Sequence, residues 1–237
     1  MNPGEYIVLI LGVILSGALI VAYKLPGHVL KLILAFSGAF LLSISSNHLI
    51  PEIFGSGIKG LGLFIILGFL IQLVLEYFSE GIEHGHIHKH GHHETGFPIT
   101  MMLALSLHAL LEGVALGAGH ADAGHSHDSM FWGIILHNIP ISMALVTLLS
   151  ASGLGRGRVF IWLGLFSLMT PLGGLLADPL ADHVFGDPLG LREKALAIVV
   201  GRFLHVSTTI LFESTENHRF NLIKFLVILA GFAAGLL

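Results

Sequence analysis

A histidine and a glutamate lie four residues apart in the apolar stretch Ile99–Ala118, as His108-Ala-Leu-Leu-Glu112-Gly. Positions i and i+4 lie on the same helical face, one turn apart, so both side chains would point the same way. The next apolar run carries a second polar pair, His137-Asn138. Polar side chains in a membrane span are costly and tend to face the bundle interior, where they bind a ligand. This pattern predicts an intramembrane metal site; the alternative is hydrogen bonding that joins neighbouring helices.

The donor types indicate which metals this site would hold. The chain has no cysteine, so no thiolate can contribute. Imidazole nitrogens with carboxylate and amide oxygens suit Zn²⁺, Cd²⁺, Fe²⁺, Mn²⁺ or Co²⁺ better than Ca²⁺ or Cu⁺. Pro140 has no N–H to offer the carbonyl of Leu136, which could add another oxygen. We predict four main ligands: His108, Glu112, His137 and Asn138.

The composition of the chain indicates what kind of elements position these residues. Of the 237 residues, 54% are hydrophobic and 11% charged, and the mean hydropathy is +0.87. Soluble domains carry about 25% charged residues, so we predict an all-α membrane protein. A span needs about 20 residues, which leaves room for eight spans in one transmembrane domain, residues 1–237. We place them at about 6–23, 29–53, 61–78, 97–118, 130–149, 159–177 (interrupted at Thr170-Pro171), 194–213 and 220–237.

The charged residues bear on the partners of the chain and on its orientation in the membrane. A formal net charge of −4 provides no basic patch for nucleic acid, and the N-terminus lacks the positive region of a signal peptide, so the first apolar run is expected to be retained. Lysine and arginine are enriched in cytoplasmic loops, and this bias favours N- and C-termini outside. Lys59, Arg192, Lys194 and Arg202 then lie outside, against seven basic residues inside. We expect the inner (plasma) membrane of a prokaryote, with the lipid bilayer as partner and a homodimer left open.

A weak internal repeat relates the second and seventh spans. Gly38-Ala-Phe40-Leu-Leu-Ser resembles Gly201-Arg-Phe203-Leu-His-Val, and each continues through hydroxyl residues to a glutamate. Because an even and an odd span run in opposite directions, the similarity fits an inverted repeat of spans 1–3 and 6–8. Inverted repeats of this kind place a transport site near the membrane midplane.

Two histidine-rich loops flank the fourth span. Residues 80–96 would be cytoplasmic and residues 119–129 outside. Such tracts, which lack a fixed tetrahedral spacing, are typical of low-affinity metal collection, although a merely solvated loop is the alternative. The candidate collecting residues are His84, His86, His88, His90, His92, His93, His120, His125 and His127.

Polar residues near span ends form a third group. We interpret them as candidate ligands on the way into and out of the site, or else as ordinary polar residues that cap helix ends. They are His48, Glu52, Glu213, Glu216 and His218. His205, inside the seventh span, fits either a helix–helix hydrogen bond or a place on the pathway.

Taken together, these motifs resemble the ZIP (Zrt/Irt-like) divalent metal transporters. The resemblance rests on His108-x-x-x-Glu112-Gly-x-Ala-Leu-Gly followed by His137-Asn-Ile-Pro140, with a His-rich loop before the fourth of eight spans. Asn47-His-Leu-Ile-Pro-Glu52, Pro171-Leu-Gly173 and Phe203-Leu204 are similar to family elements in spans two, six and seven. The resemblance implies an eight-helix fold in which helices four and five line a site that moves divalent metal, zinc first, into the cytoplasm.

The chain also departs from the family pattern. Ile141 stands where many members continue Pro-Glu-Gly, and Thr170 stands where many place a glutamate before the sixth-span proline. Ala109 occupies a position that often holds asparagine. The glutamates that Ile141 and Thr170 replace belong to the two-metal version of the site, so we expect one main metal here.

Three functions remain open at this level. The first is an importer that works by alternating access, without ATP because no nucleotide-binding motif is visible. The second is an intramembrane zinc hydrolase, for which three ligands and an open water position would be required. The third is a membrane metal sensor. We expect the importer, and no catalytic cofactor, because no general acid or base remains once the ligands are assigned.

Overall fold

The computed structural model describes residues 1–23, 26–79, 81, 99–118, 125–180, 188–213 and 222–236. Within these ranges every regular element is helical. The elements are α1 (Pro3–Ala22), α2 (Gly27–Ile44), a π-helical turn (Ser45–Leu49), α3 (Ile50–Gly55), α4 (Leu61–Ser79), α5 (Ile99–Ala118), α6 (His125–Ala151), α7 (Arg156–Ser167), α8 (Met169–Leu180), α9 (Pro188–Glu213) and α10 (Leu222–Ala234).

Seven helical stretches in the described ranges are long and apolar enough to cross a membrane. Two of them are composite: α2, the π-helical turn and α3 form Gly27–Gly55, and α7 with α8 forms Arg156–Leu180. The eighth apolar helix, α10, has 13 residues. The predicted class, an all-α membrane protein, is confirmed.

Two of the prolines within these spans lie next to an interruption of the α-helix. A proline has no N–H for the carbonyl one turn back and its ring crowds that turn. Pro51 is the second residue of α3, which follows the π-helical turn. Pro171 follows the break at Leu168 between α7 and α8, which is the interruption that the sequence predicts. Pro140 lies within continuous α6.

Two helix crossings are close enough to bring backbone against backbone. A Cβ atom at Gly113 of α5 would lie 2.0 Å from the carbonyl oxygen of Thr170 in α8. A Cβ atom at Gly68 of α4 would lie 1.9 Å from the carbonyl oxygen of Ile198 in α9. Glycine allows such approach between membrane helices, where dispersion contacts replace the hydrophobic effect. The crossings therefore hold α5 against α8 and α4 against α9.

The other contacts arrange the helices into an inner and an outer set. α1 packs on α6, α10 on α2, and α2 lies against both α9 and α6. Residues where α2, α6 and α9 meet are fully buried, including Leu41, Ile134 and Val200. The outer faces of α1, α4 and α10 instead expose apolar side chains such as Leu15, Leu63, Leu70 and Ile223. These faces are suited to contact lipid.

The α4–α9 crossing generates a stability prediction. Gly68→Ala should destabilise the protein by at least about 1–3 kcal/mol, because its methyl group meets backbone that has no room to move. The matched control is Gly62→Ala in the same helix, where a Cβ meets nothing within 4 Å. Thermal unfolding of the detergent-purified proteins, followed by size-exclusion chromatography, compares the two. Equal melting temperatures for both variants would contradict the close crossing.

Candidate metal centre

Three predicted ligands converge at the centre of the bundle. One ligand atom from each of His108 and Glu112 of α5 and His137 of α6 lies within 4.8 Å of the others. Among the described residues, no other group of three histidine, aspartate or glutamate side chains is this close. The three side chains are 0–1% exposed. Their arrangement gives two imidazoles and a carboxylate in a buried position, a donor set that suits zinc and similar ions.

The i, i+4 pair on α5 is formed as the spacing predicts. Nε2 of His108 lies 3.0 Å from Oε1 of Glu112, and the ring centroids of His108 and His137 are 5.6 Å apart. Two lone pairs would repel at such a distance, so a proton or a metal ion must lie between the nitrogen and the oxygen.

Asn138, the fourth predicted ligand, lies beside the carboxylate. Its Nδ2 donates to Oε2 of Glu112 across 3.5 Å. Its Oδ1 is buried and has no hydrogen-bond partner in the described part of the chain. A buried carbonyl oxygen of this kind is available to an ion, since leaving it without a partner is costly.

Gln72 of α4 determines which nitrogen of His108 faces the centre. Oε1 of Gln72 lies 3.0 Å from Nδ1 of His108 and also accepts from Nε of Arg202 at 3.2 Å. An amide oxygen can only accept, so Nδ1 must carry a proton. Nε2 is therefore the coordinating nitrogen, which is how outer partners usually orient metal-binding histidines. On the other histidine, the Oγ of Ser37 in α2 lies 3.5 Å from Nδ1 of His137.

Arg202 corrects one expectation from the sequence. It lies in the interior of α9, 1% exposed, and its Nη2 donates to the backbone carbonyl of His108 at 3.0 Å. Counting it in the charge bias was therefore wrong, because a buried arginine within a helix says nothing about loop charge. Without it, the predicted orientation rests on seven basic residues against three.

A second polar layer lies one helical turn farther along α4 and α9. Nε2 of His205 contacts Oε2 of Glu76, and the edge of the His205 ring packs on Phe69 with centroids 4.6 Å apart. Of the two readings of His205, the structure contains the helix–helix contact. Sequence reasoning missed Gln72 and Glu76, although their i, i+4 spacing within an apolar span was a usable signal.

The predicted peripheral ligands are dispersed among separate contacts. Nε2 of His48 lies 3.2 Å from the carbonyl oxygen of Gly235, and Glu52 pairs with Arg192. His127 lies 3.4 Å from Glu5. Hence none of these joins the central group. The remaining candidates, or their side chains, lie outside the described residues: Glu213, Glu216, His218, His84, His86, His88, His90, His92, His93, His120 and His125.

Comparison with known proteins identifies a family for this chain. Residues 98–237, more than half of the chain, match the ZIP zinc transporter family. The chain belongs to the ZIP zinc transporter family. The match includes α5 and α6, which carry the four central residues, and continues to the end of the sequence.

Curated relatives include several vertebrate ZIP9 proteins. Zinc transporter ZIP9-B of Xenopus laevis is 32% identical over 152 residues, 62% of this chain and 50% of that protein. Zinc transporter ZIP9 of Micropogonias undulatus is 29% identical over 153 residues, 62% of this chain and 49% of that protein. The corresponding protein of Macaca fascicularis is 39% identical over 110 residues, 45% of this chain and 47% of that protein. The chain therefore spans about half the length of the curated relatives it matches.

Membership in this family bears on three expectations. It confirms a multi-pass integral membrane protein and supports the prediction that the chain is not an enzyme, because the family consists of transporters. The named relatives are eukaryotic, so they give no support to a prokaryotic origin. The orientation of the termini stays a prediction.

The contact between Gln72 and His108 can be tested by metal binding. Gln72→Leu should weaken Zn²⁺ binding by about 10–100-fold, because His108 loses the partner that orients its ring. Isothermal titration calorimetry of the purified protein gives the dissociation constant. Gln72→Glu keeps an acceptor for both Nδ1 and Arg202, so it should stay closer to wild type than Gln72→Leu. Unchanged affinity in Gln72→Leu would remove Gln72 from the site.

Proposed function

We propose that this protein transports a divalent transition metal, zinc first, into the cytoplasm through His108, Glu112, His137 and Asn138. The observation that carries the proposal is the convergence of buried donors from two neighbouring spans. His108 and Glu112 belong to α5, and His137 and Asn138 to α6. The family and its ZIP9 members support zinc as cargo. Cd²⁺, Fe²⁺, Mn²⁺ and Co²⁺ have compatible chemistry.

One metal ion fits this centre better than two. Glu112 is the single carboxylate in the converging group. Thr170 is buried next to α5, where the tight crossing places its backbone against Gly113, and Ile141 is fully buried in the apolar core. Neither position supplies a second carboxylate, so a second cation would lack the charge that binds it.

Burial of the ligands supports alternating access. The four side chains are 0–3% exposed, so the centre is closed to solvent in this conformation. A channel open at both faces would leave its ligands wet. A carrier must instead open the centre toward one side at a time, as rocking of two halves achieves.

The packing order supports an inverted repeat with eight spans. The inverted repeat exchanges spans 1, 2 and 3 with spans 6, 7 and 8, and it exchanges α5 with α6. This operation converts the α1–α6 contact into the α8–α5 contact. The same operation converts the α4–α9 contact into the α10–α2 contact, and both members of each pair are extensive. On this basis α10 is the eighth span and the whole chain is one transporter domain.

Metal would approach and leave through polar residues at the two ends of the bundle. His127 with Glu5 and His48 with nearby Glu52 lie where α1 and α6 begin and α3 ends. Glu213, Glu216 and His218 would serve the opposite, cytoplasmic side, in keeping with the N-out orientation. The histidine-rich loops would collect ions on each face, and homodimerisation in the bilayer remains a compatible assembly.

The proposal is tested by flux into proteoliposomes loaded with a metal-responsive dye. His108→Ala and Glu112→Ala should each reduce Zn²⁺ or Cd²⁺ influx by about tenfold or more, because each removes a donor from a small set. Wild-type protein that binds zinc but gives no influx would refute transport and favour a sensor.

Ser142 provides the matched control. It is fully buried on α6, one turn from Asn138, and its hydroxyl lies 2.6 Å from the Oγ of Ser16 on α1. Ser142→Ala removes a buried polar contact but no ligand, and membrane hydrogen bonds of this type are worth about 0.6 kcal/mol. Influx should therefore stay within about threefold of wild type.

Deletion of residues 83–94 tests the larger histidine-rich loop. If the loop only collects ions, the deletion should change the concentration of half-maximal influx and leave the maximal rate nearly unchanged. The same dye assay, run across a series of zinc concentrations, separates the two quantities. Abolished influx would give the loop a direct part in transport.

A further inference from the structure

A cavity of about 380 Å³ lies between α1, α6 and α7, where α1 and α6 end and α7 begins. Most of its wall is aliphatic and includes Ile20, Val21 and Val146. The volume falls within the range of about 300–1,000 Å³ that is usual for small-molecule sites. None of the four central metal-binding residues lines it, so the cavity is separate from the metal centre.

A close crossing of α1 with α6 and α7 lies beside the cavity. A Cβ atom at Gly17 of α1 would lie 2.5 Å from Cδ2 of Leu163 in α7 and 3.0 Å from Cγ2 of Val146 in α6. Ile20 and Val21 follow about one turn later on α1, and both line the cavity. The three helices are therefore in tight contact at Gly17 and leave a space between them toward the end of α1.

The cavity is apolar at its inner end and polar at its outer end. Val146 and Val159 of the inner wall are 0% and 2% exposed. Ser150 and Arg156, which also line the cavity, are exposed and form its mouth. A ligand that fits this arrangement has an apolar portion for the inner wall and a polar portion for the mouth.

The charge at the mouth indicates what the polar portion is. Arg156 is the charged residue among those that line the cavity, and no carboxylate in the described part of the chain forms an ion pair with it. The hydroxyls of Thr147 and Ser150 donate to the carbonyls of Met143 and Val146, at 2.8 and 2.7 Å. Their protons are thus used within α6, and the guanidinium is left as the donor for an anion.

We propose that this cavity binds an anionic phospholipid. An acyl chain would lie along the aliphatic wall, and the phosphate would pair with Arg156. Basic pockets between transmembrane helices on the cytoplasmic side suit such head groups, and the predicted N-out orientation puts this end of the bundle on that side. A zwitterionic lipid is a poorer occupant, because its own ammonium group offsets the attraction of the phosphate to the guanidinium.

The position of the cavity on α6 gives the lipid a structural effect. Val146 lies one turn beyond Ser142, whose hydroxyl contacts Ser16 of α1 at 2.6 Å, and two turns beyond Asn138. A lipid in the cavity would fill the space next to this α1–α6 contact. It would therefore stabilise the packing of the helix that carries two of the central residues. This inference goes beyond the proposed transport function and does not rest on it.

Native mass spectrometry of the full chain in detergent tests the inference. The protein is incubated with equal amounts of phosphatidylglycerol and phosphatidylcholine that have the same acyl chains. Wild type should retain phosphatidylglycerol about fivefold or more over phosphatidylcholine, and Arg156→Gln should abolish that preference, because one basic side chain near the membrane surface contributes about this factor. Ser150→Trp, which places a large side chain at the mouth, should also reduce retained phosphatidylglycerol to the level of phosphatidylcholine.

Arg158→Gln is the matched control. Arg158 is exposed on the same helix two residues from Arg156 and does not line the cavity, since positions i and i+2 point to different faces. The lipid preference of Arg158→Gln should stay within about twofold of wild type. All three substituted residues are exposed, so each variant should elute from size-exclusion chromatography as wild type does.

Three results would each overturn the inference. Equal losses in Arg156→Gln and Arg158→Gln would mean that surface charge in general retains the lipid. Equal retention of both lipids by wild type would mean that the cavity accepts any acyl chain. An unchanged preference in Ser150→Trp would mean that phosphatidylglycerol binds elsewhere on the protein.

Discussion

The carboxylate of Glu112 is the constraint on which the rest of the structure depends. It is fully buried in a protein whose surroundings are lipid, and an isolated anion there is unstable. Two groups contact it and reduce that cost: the imidazole of His108 and the amide of Asn138. A divalent ion reduces the cost further. The same residue that makes the empty centre unfavourable therefore makes it attractive to a cation.

Close helix packing brings these polar groups within hydrogen-bonding distance of one another. Gly113, next to Glu112 in the chain, lets α5 lie directly on α8, while Gly68 and Gly201 do the same for α4 and α9. Larger residues at these positions would separate the helices. The contacts of 3.0–3.2 Å among Gln72, His108 and Arg202 would then lengthen. Apolar packing and polar chemistry are coupled here, because a membrane interior has no water to fill a gap between mismatched polar groups.

Sequence reasoning succeeded where a short-range rule applied. His108 and Glu112 share a face because helices repeat every 3.6 residues, and the break before Pro171 follows from a missing N–H. It failed where the answer depended on which spans pack together. Gln72 and His108 are 36 residues apart, and no local pattern states that α4 lies beside α5. Arg202 was misplaced for a related reason, since charge counting assumes that basic residues lie in loops, and the polar partners that stabilise it in α9 come from α4 and α5.

The charge inventory of the centre also bears on its choice of ion. Hard cations such as Mg²⁺ and Ca²⁺ prefer oxygen ligands and gain little from imidazole. Here a single carboxylate supplies the charge attraction. The remaining affinity must come from the nitrogen donors of His108 and His137, for which Zn²⁺, Co²⁺ and Cd²⁺ have the greater preference. Two imidazoles with one carboxylate thus suit these ions better than the abundant hard cations.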